Sequence, residues 1–151
     1  RVMNNIGYIK YMMGDSDGAG KSFEKAMAIT DNNIVTNNVG AVRHISNGKS
    51  SDEIKSLFES SNTEESKYNV GLIQIEEGKY EESITSMGDS KSYNFVLVNI
   101  LAEHYDDAKD ALDGMSNAKS WNAICWSGKI LEIVVVFRSS TSSLIDFEII
   151  Q

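Results

Sequence analysis

The sequence predicts an all-α protein built from consecutive helix pairs, and three observations carry that prediction. A short signature of Asn, an apolar residue and a small residue recurs along the chain. A chain-breaking glycine follows two copies of this signature after seven residues. Apolar residues then recur at spacings of three and four, which is the period of one face of a helix.

The repeated signature sets the length of the predicted unit. Its third residues in the first four copies are separated by 33, 31 and 25 positions, and Cys125 of a fainter fifth copy follows after 29 more, which suits a helix pair followed by a short turn. We call this third residue the anchor of its unit. The copies are Asn5-Ile6-Gly7, Asn38-Val39-Gly40, Asn69-Val70-Gly71, Asn94-Phe95-Val96 and a fainter segment from Asn122 to Cys125.

Breakers after the anchors divide each unit into two predicted helices. Gly14, Gly48 and Gly78 follow their anchors by seven or eight residues, and Glu103 takes the same place in the fourth unit. Candidate N-caps are Asp17, Ser50 and Ser51. The predicted first helices span 2–13, 34–47, 64–77, 91–103 and 118–130, and the second helices span 17–29, 51–60, 80–88 and 105–114.

Two of these units resemble a known repeat family. Tyr68 to Gly71 followed by Gly78 to Ser83 is similar to the tetratricopeptide repeat, and so is Gly7 followed by Gly14, Ala19, Phe23 and Ala26. The resemblance implies a right-handed α-solenoid of antiparallel helix pairs over residues 1–131. It also implies that Gly7 packs against Ala19 and that Gly71 packs against Ser83.

The glycine anchors support close helix packing on physical grounds as well. A glycine inside a helix costs about 1 kcal/mol relative to alanine, and a closer helix–helix approach offsets that cost. The alternative is that these glycines mark helix ends. Two departures from the family are visible: its usual proline after the second helix is missing, and Val96 replaces a small anchor.

A narrower resemblance concerns the fourth unit. The shortened third unit together with Ser92-Tyr93-Asn94-Phe95 is similar to repeat regions of large bacterial cell-envelope proteins. The compartment therefore stays open between the cytoplasm and the bacterial periplasm or envelope.

Residues 132–151 depart from the helical pattern. Ile133 to Phe137 form a largely β-branched run, and Ile145, Phe147 and Ile149 alternate with acidic residues. Propensity predicts two strands around a serine-rich loop, so this tail is expected to have β character as a hairpin, with a disordered segment as the alternative. A truncated or misread reading frame is the alternative explanation.

Composition argues against several functional classes. The net charge of −8 and the scattered placement of 14 Lys and Arg residues disfavour nucleic-acid binding. No stretch reaches the roughly 18 apolar residues that a membrane span requires. The single cysteine, Cys125, excludes an internal disulfide.

The motifs that suggest chemistry have simpler structural explanations. The segment Gly14 to Ser22 reads GDSDGAGKS, but its spacing departs from a phosphate-binding loop and it follows a helical pattern. His44 and His104 have no Cys or His at ligand spacing. Acidic pairs such as Glu76-Glu77 lie at predicted helix ends, where adjacent side chains point apart. We therefore predict no catalytic residue, no metal site and no cofactor.

The family resemblance implies a concave groove, lined by the first helices, that receives a peptide or protein partner. Aromatic and large apolar side chains are typical of interface centres. The alternative for these residues is that they form core contacts between units. The alternative function is a helical accessory domain or spacer of a larger enzyme or envelope-anchored protein. The predicted partner-binding residues are Tyr8, Tyr11, Tyr68, Leu72, Tyr93 and Leu97.

Overall fold

The described part of the protein is entirely helical. The structure is a computed structural model that describes residues 1–48 and 51–115, and within these residues it contains eight helices and no strand. The predicted helix 118–130 and the tail 132–151 lie outside the described residues. The helices are α1 (Val2–Met12), α2 (Ser16–Met27), α3 (Asn33–Asn47), α4 (Asp52–Ser61), α5 (Glu64–Glu76), α6 (Tyr80–Met87), α7 (Tyr93–Leu101) and α8 (Tyr105–Asp113).

All eight of these helices begin and end within two residues of their predicted limits. The Ser51 side chain caps α4 by accepting a hydrogen bond from the Ile54 N–H. Asp15, and not the predicted Asp17, caps α2, because its carboxylate accepts from the Gly18 N–H. Asp17 lies in the first turn, where its negative charge suits the helix dipole.

Three of the helix pairs share one turn between their two helices. A backbone N–H just past the first helix donates to a carbonyl five residues earlier, which is the closure of a Schellman motif. The residue before each donor has a positive φ: Gly14 at 81°, Gly78 at 74° and Glu103 at 64°. The three bonds are Asp15 N to Lys10 O at 2.9 Å, Lys79 N to Gln74 O at 2.8 Å and His104 N to Asn99 O at 2.8 Å.

Glu103 is therefore a side-chain-bearing residue in a glycine position. Left-handed backbone costs a non-glycine residue about 1–2 kcal/mol, and a glycine loses somewhat more chain entropy on folding. We expect Glu103→Gly to raise the free energy of unfolding by about 0.5–1 kcal/mol in urea titrations. Glu103→Ala keeps the strain and should bring no gain. Equal stabilisation by both variants would contradict this assignment.

Each helix packs against the next one along the chain. Residues 1–5 at the start of α1 line a cleft together with Ala26, Ile29 and Thr30 at the end of α2. The start of α5 and the end of α6 line a second cleft in the same way. The two helices of each of these pairs therefore run antiparallel. We refer to the four successive pairs, α1–α2 to α7–α8, as units 1 to 4.

The anchor glycines bring the two helices of a unit close together. A Cβ placed on Gly7 would lie 2.5 Å from Cε1 of Phe23, and one on Gly40 would lie 2.9 Å from Cε1 of Phe58. The atoms nearest to that position on Gly7 belong to Phe23, so the bulky ring lies opposite the glycine; the expected contact with Ala19, which packs in the same cluster as Phe23, stays a prediction. In units 1 and 2 an aromatic ring lies over the anchor glycine, and this ring sets how closely the two helices of the unit approach each other.

Unit 3 and unit 4 show two solutions to the same packing problem. A Cβ on Gly71 would meet Cγ of Met87 at 2.6 Å and the backbone oxygen of Ser83 at 3.3 Å. The Ser83 hydroxyl also donates to the Gly71 carbonyl at 2.8 Å, so the expected Gly71–Ser83 contact is present. In unit 4 the anchor is Val96, and Leu112 packs in its cluster. A larger anchor is thus matched by a smaller opposing side chain than phenylalanine.

The apolar core continues from one unit into the next. One cluster joins Phe23 of α2 to Val39 of α3, and so links units 1 and 2. A second cluster contains Phe58 of α4, Leu72 of α5 and Val98 of α7, and so links units 2, 3 and 4. Units 1 to 3 thus bury their apolar residues jointly with a neighbouring unit.

The tight crossing in unit 3 can be tested by overpacking. Gly71→Leu inserts a branched side chain where Met87 already lies, and we expect it to lower the free energy of unfolding by about 1–3 kcal/mol. Adding Met87→Ala to that variant should recover part of the loss. Gly114→Leu is the control, because a Cβ there comes no closer than 3.5 Å to its neighbours. Equal denaturation midpoints for Gly71→Leu and the parent would contradict a close approach of α5 and α6 at Gly71.

Candidate partner-binding surface

The first helices of neighbouring units are joined by a hydrogen bond that recurs at one register. In every case the asparagine two residues before an anchor donates to the side chain three residues before the preceding anchor. The repeated geometry means that each first helix meets its predecessor at the same height. The bonds run from Asn38 Nδ2 to Asn4 Oδ1 at 2.9 Å, from Asn69 Nδ2 to Asn37 Oδ1 at 2.9 Å and from Asn94 Nδ2 to Tyr68 Oη at 3.0 Å.

The asparagine side chains of units 1 to 3 are linked into a chain, which we call the amide ladder. Asn37 Nδ2 donates to Asn38 Oδ1 at 3.3 Å, so the bonds run without interruption from Asn69 to Asn4. All four of these asparagines are buried. A buried amide without partners costs about 1–3 kcal/mol, so this arrangement penalises a sliding of one first helix along the next.

The amide ladder was not predicted from the sequence, although a signal for it exists. The repeat signature contains Asn5 and Asn38 but leaves out Asn4 and Asn37 directly before them. The doublets Asn4-Asn5 and Asn37-Asn38 occupy the same register in two units. A repeated pair of polar residues beside an anchor glycine, where burial is expected, would have indicated mutual hydrogen bonding.

A second contact between units lies further along the first helices. Nε2 of His44, which is buried near the end of α3, lies 3.0 Å from Oε1 of Glu76 at the end of α5. This pair places His44 between two units and gives it a carboxylate partner. The histidine therefore belongs to the contact between first helices and is not an exposed base.

The structure distributes the six predicted partner-binding residues over three environments. Tyr93 is 38% exposed, at the start of α7. Tyr8, Tyr11 and Leu97 are half-buried. Tyr68 is buried in the apolar core, with its hydroxyl accepting a hydrogen bond from Asn94.

Leu72, like Tyr68, is a predicted residue that the structure removes from the surface. Its side chain is fully buried in the cluster that also contains Phe58 and Val98. Side chains one residue after the anchor face the neighbouring first helix, so in a middle unit they are covered. Leu72 is therefore a core residue, and the placement of this residue in an open groove is corrected.

What stays accessible is a set of apolar side chains on one side of the first helices. Tyr8, Tyr11 and Ile45 contribute from α1 and α3, and Tyr93 and Leu97 contribute from α7. Relative to the anchors of their own units, Tyr93 stands at −3, Tyr8 and Leu97 at +1, Tyr11 at +4 and Ile45 at +5, and these positions lie on one helical face. We call this set the first-helix surface.

The suspected phosphate-binding segment is the turn between α1 and α2. Gly14 ends α1 with a positive φ, and Asp15 caps α2 with its own carboxylate. The Asp15 carboxylate lies where an anion would have to bind at this helix N-terminus, and no strand precedes it in residues 1–14. The segment therefore lacks both the arrangement and the charge of a phosphate-binding loop.

The acidic pair Glu76-Glu77 is divided between different partners. Glu76 contacts His44, whereas Glu77 lies 2.7 Å from Nζ of Lys79 and 3.7 Å from Nζ of Lys55. The hydrogen bond from Lys79 holds the pKa of the Glu77 carboxyl below its ordinary value, and the same bond raises the pKa of Lys79. These are structural ion pairs at a turn, and the two carboxyl groups do not converge on one point.

Metal binding and membrane insertion each require a particular arrangement of residues. Residues 1–48 and 51–115 contain no group of three or more His, Cys, Asp or Glu side chains arranged to hold a metal ion. None of the described helices is both long enough and apolar enough to cross a bilayer.

Comparisons of this chain with protein-family models, with curated proteins and with solved structures find no match.

The contribution of the amide ladder to the free energy of unfolding can be measured with a matched pair of variants. Asn69→Ala removes the donor to Asn37 and leaves a cavity in a buried site, so we expect a loss of about 1–3 kcal/mol in the free energy of unfolding. Asn5→Ala lies at the same register in unit 1, where the side chain is exposed, and should change stability by no more than about 0.5 kcal/mol. Similar losses for both variants would refute a specific role of the ladder.

Proposed function

We propose that this protein is an interaction module whose repeated helix pairs form a tetratricopeptide-like, right-handed α-solenoid, and that its first-helix surface binds a peptide segment of a partner protein. The proposal includes the absence of a catalytic role for this module. The recurring hydrogen bond between first helices is the observation that carries it. Because that bond fixes one register, the first helices lie side by side as a continuous surface.

The side chains on this surface indicate the chemistry of the ligand. Tyr8, Tyr11 and Tyr93 combine an apolar ring with a polar hydroxyl, and Ile45 and Leu97 add aliphatic area. Side chains of this kind are enriched at the centres of protein interfaces. No lysine or arginine is among them, so a clamp for an acidic peptide terminus is not part of the proposal. We propose a ligand peptide whose contacting side chains are apolar or aromatic.

A selection experiment tests this proposal without requiring that the partner be identified first. Peptides are selected from a displayed random library against the protein, and binding of synthetic copies is followed by fluorescence anisotropy. We expect saturable binding that Tyr93→Asp weakens by about tenfold, because a charge replaces a central aromatic contact.

Tyr105→Asp is the matched control for this experiment. Tyr93 and Tyr105 are the first residues of α7 and α8, and both are exposed to a similar extent. The change to Asp therefore has the same effect on the helix dipole in both variants, and only the location differs. A purely structural spacer predicts that no selected peptide binds in a manner that depends on Tyr93. That result would reject the proposal.

A further inference from the structure

In unit 2, one basic residue of the first helix joins two second helices. This residue is Arg43, three positions after the anchor. Its Nη2 lies 3.2 Å from Oε1 of Glu24 on α2, and its Nη1 contacts Oε1 of Glu53 on α4. A guanidinium group of the chain itself therefore links the acidic side chains of units 1 and 2.

Unit 4 has the same position but a different side chain there. The residue three positions after its anchor is Asn99, which is much shorter than an arginine and carries no charge. The counterpart of Glu53 is Asp107, because each lies five residues before the side chain that packs against the anchor, Phe58 or Leu112. The carboxylate of unit 2 is thus kept in unit 4, whereas the cation is not.

A cleft of about 410 Å³ lies between α6, α7 and α8 at this place, and its volume is typical of a small ligand site. Asn99 and Asp107 both line it, together with Asp110 one turn further along α8. A third carboxylate, that of Asp89, comes from the turn after α6, one residue past the position that matches Glu24 of α2. The position of a built-in guanidinium in unit 2 therefore corresponds to an acidic cleft in unit 4.

Asn99 adds a buried acceptor to this cleft. It is 1% exposed, and its Nδ2 donates to the carbonyl of Phe95 at 2.8 Å. Among the residues that the structure describes, no group donates to its Oδ1, which is unfavourable for a buried amide. Carboxylates and an amide oxygen accept hydrogen bonds and do not donate them. The ligand that suits this cleft is therefore a positively charged group with several N–H donors.

Two basic side chains also line the cleft, and neither takes the place of the guanidinium. Nε2 of His104 lies 3.2 Å from Oε1 of Glu81, which is not among the lining residues. Lys91 is exposed, and within residues 1–48 and 51–115 it forms no ion pair. The cleft thus combines three carboxylates with one exposed ammonium group, and an additional cation would be attracted to it.

We propose that this cleft binds an arginine side chain of a partner polypeptide. A guanidinium has five N–H donors in one plane, which suits acceptors that come from α7, α8 and the turn after α6. Phe95, which also lines the cleft, supplies an aromatic ring for contact with that plane. The partner's arginine takes the place in unit 4 that Arg43 takes in unit 2.

This cleft is separate from the first-helix surface. Phe95 and Asn99 lie one residue before and three residues after the anchor of α7, whereas Tyr93 and Leu97 lie three before and one after it. These spacings place the two pairs on opposite sides of the helix. The proposal therefore does not depend on peptide binding at the first-helix surface.

The probe for this site is N-acetyl-arginine amide, titrated into the whole isotope-labelled protein and followed by nuclear magnetic resonance. We expect saturable shifts of the Asn99 side-chain amide and of the backbone amides of Asp107 and Asp110. N-acetyl-citrulline amide, which has nearly the same shape without the charge, should cause no such shifts. Binding of the arginine probe should weaken as the salt concentration rises, because exposed charges are screened.

A matched pair of variants tests the contact with α8. Asp107→Asn should weaken binding of the arginine probe by about tenfold, because a charge-assisted hydrogen bond is lost. Asp106→Asn removes the same charge from the neighbouring residue of α8, which does not line the cleft, and should leave binding nearly unchanged. Both aspartates are exposed, so circular dichroism should show the helicity of the parent for both variants.

Three outcomes would overturn the proposal. The arginine and citrulline probes could cause the same shifts, or the two aspartate variants could weaken binding equally. Lys91→Ala, which removes a competing ammonium group and should keep or raise the affinity, could instead abolish binding. Since Asp107 and Lys91 are not part of the first-helix surface, each of these outcomes leaves binding of the library-selected peptides unaffected.

Discussion

The arrangement of the first helices depends on one hydrogen bond that each unit makes with its predecessor. Apolar contacts between helices are largely non-directional, and they would tolerate a shift by part of a turn. A buried asparagine does not tolerate this, because moving it away from its partner leaves two polar groups without hydrogen bonds. Asn38 and Asn69 therefore define the height of α3 relative to α1 and of α5 relative to α3. Asn94 uses the hydroxyl of Tyr68 for the same purpose.

Packing inside each unit follows from that fixed register. With the first helices held in place, the distance to the second helix is set by the anchor and the side chain opposite it. A glycine accommodates the ring of Phe23 or Phe58, and the valine anchor of unit 4 is combined with Leu112. Each anchor is thus packed against a side chain of its own unit, and the pair of residues that fills the crossing differs from unit to unit.

The helices could be predicted from the sequence because their signals are local, whereas the exposure of the surface could not. The period of the apolar residues and the breakers at Gly14 and Gly78 act within a few residues of the helices they delimit. Leu72 and Leu97, by contrast, follow their anchors in the same way, yet Leu72 is fully buried and Leu97 is partly accessible. The difference arises from the neighbouring helix and not from the sequence around either residue. The exposure of Tyr68 and that of Tyr93, which both lie three residues before their anchors, differ for the same reason.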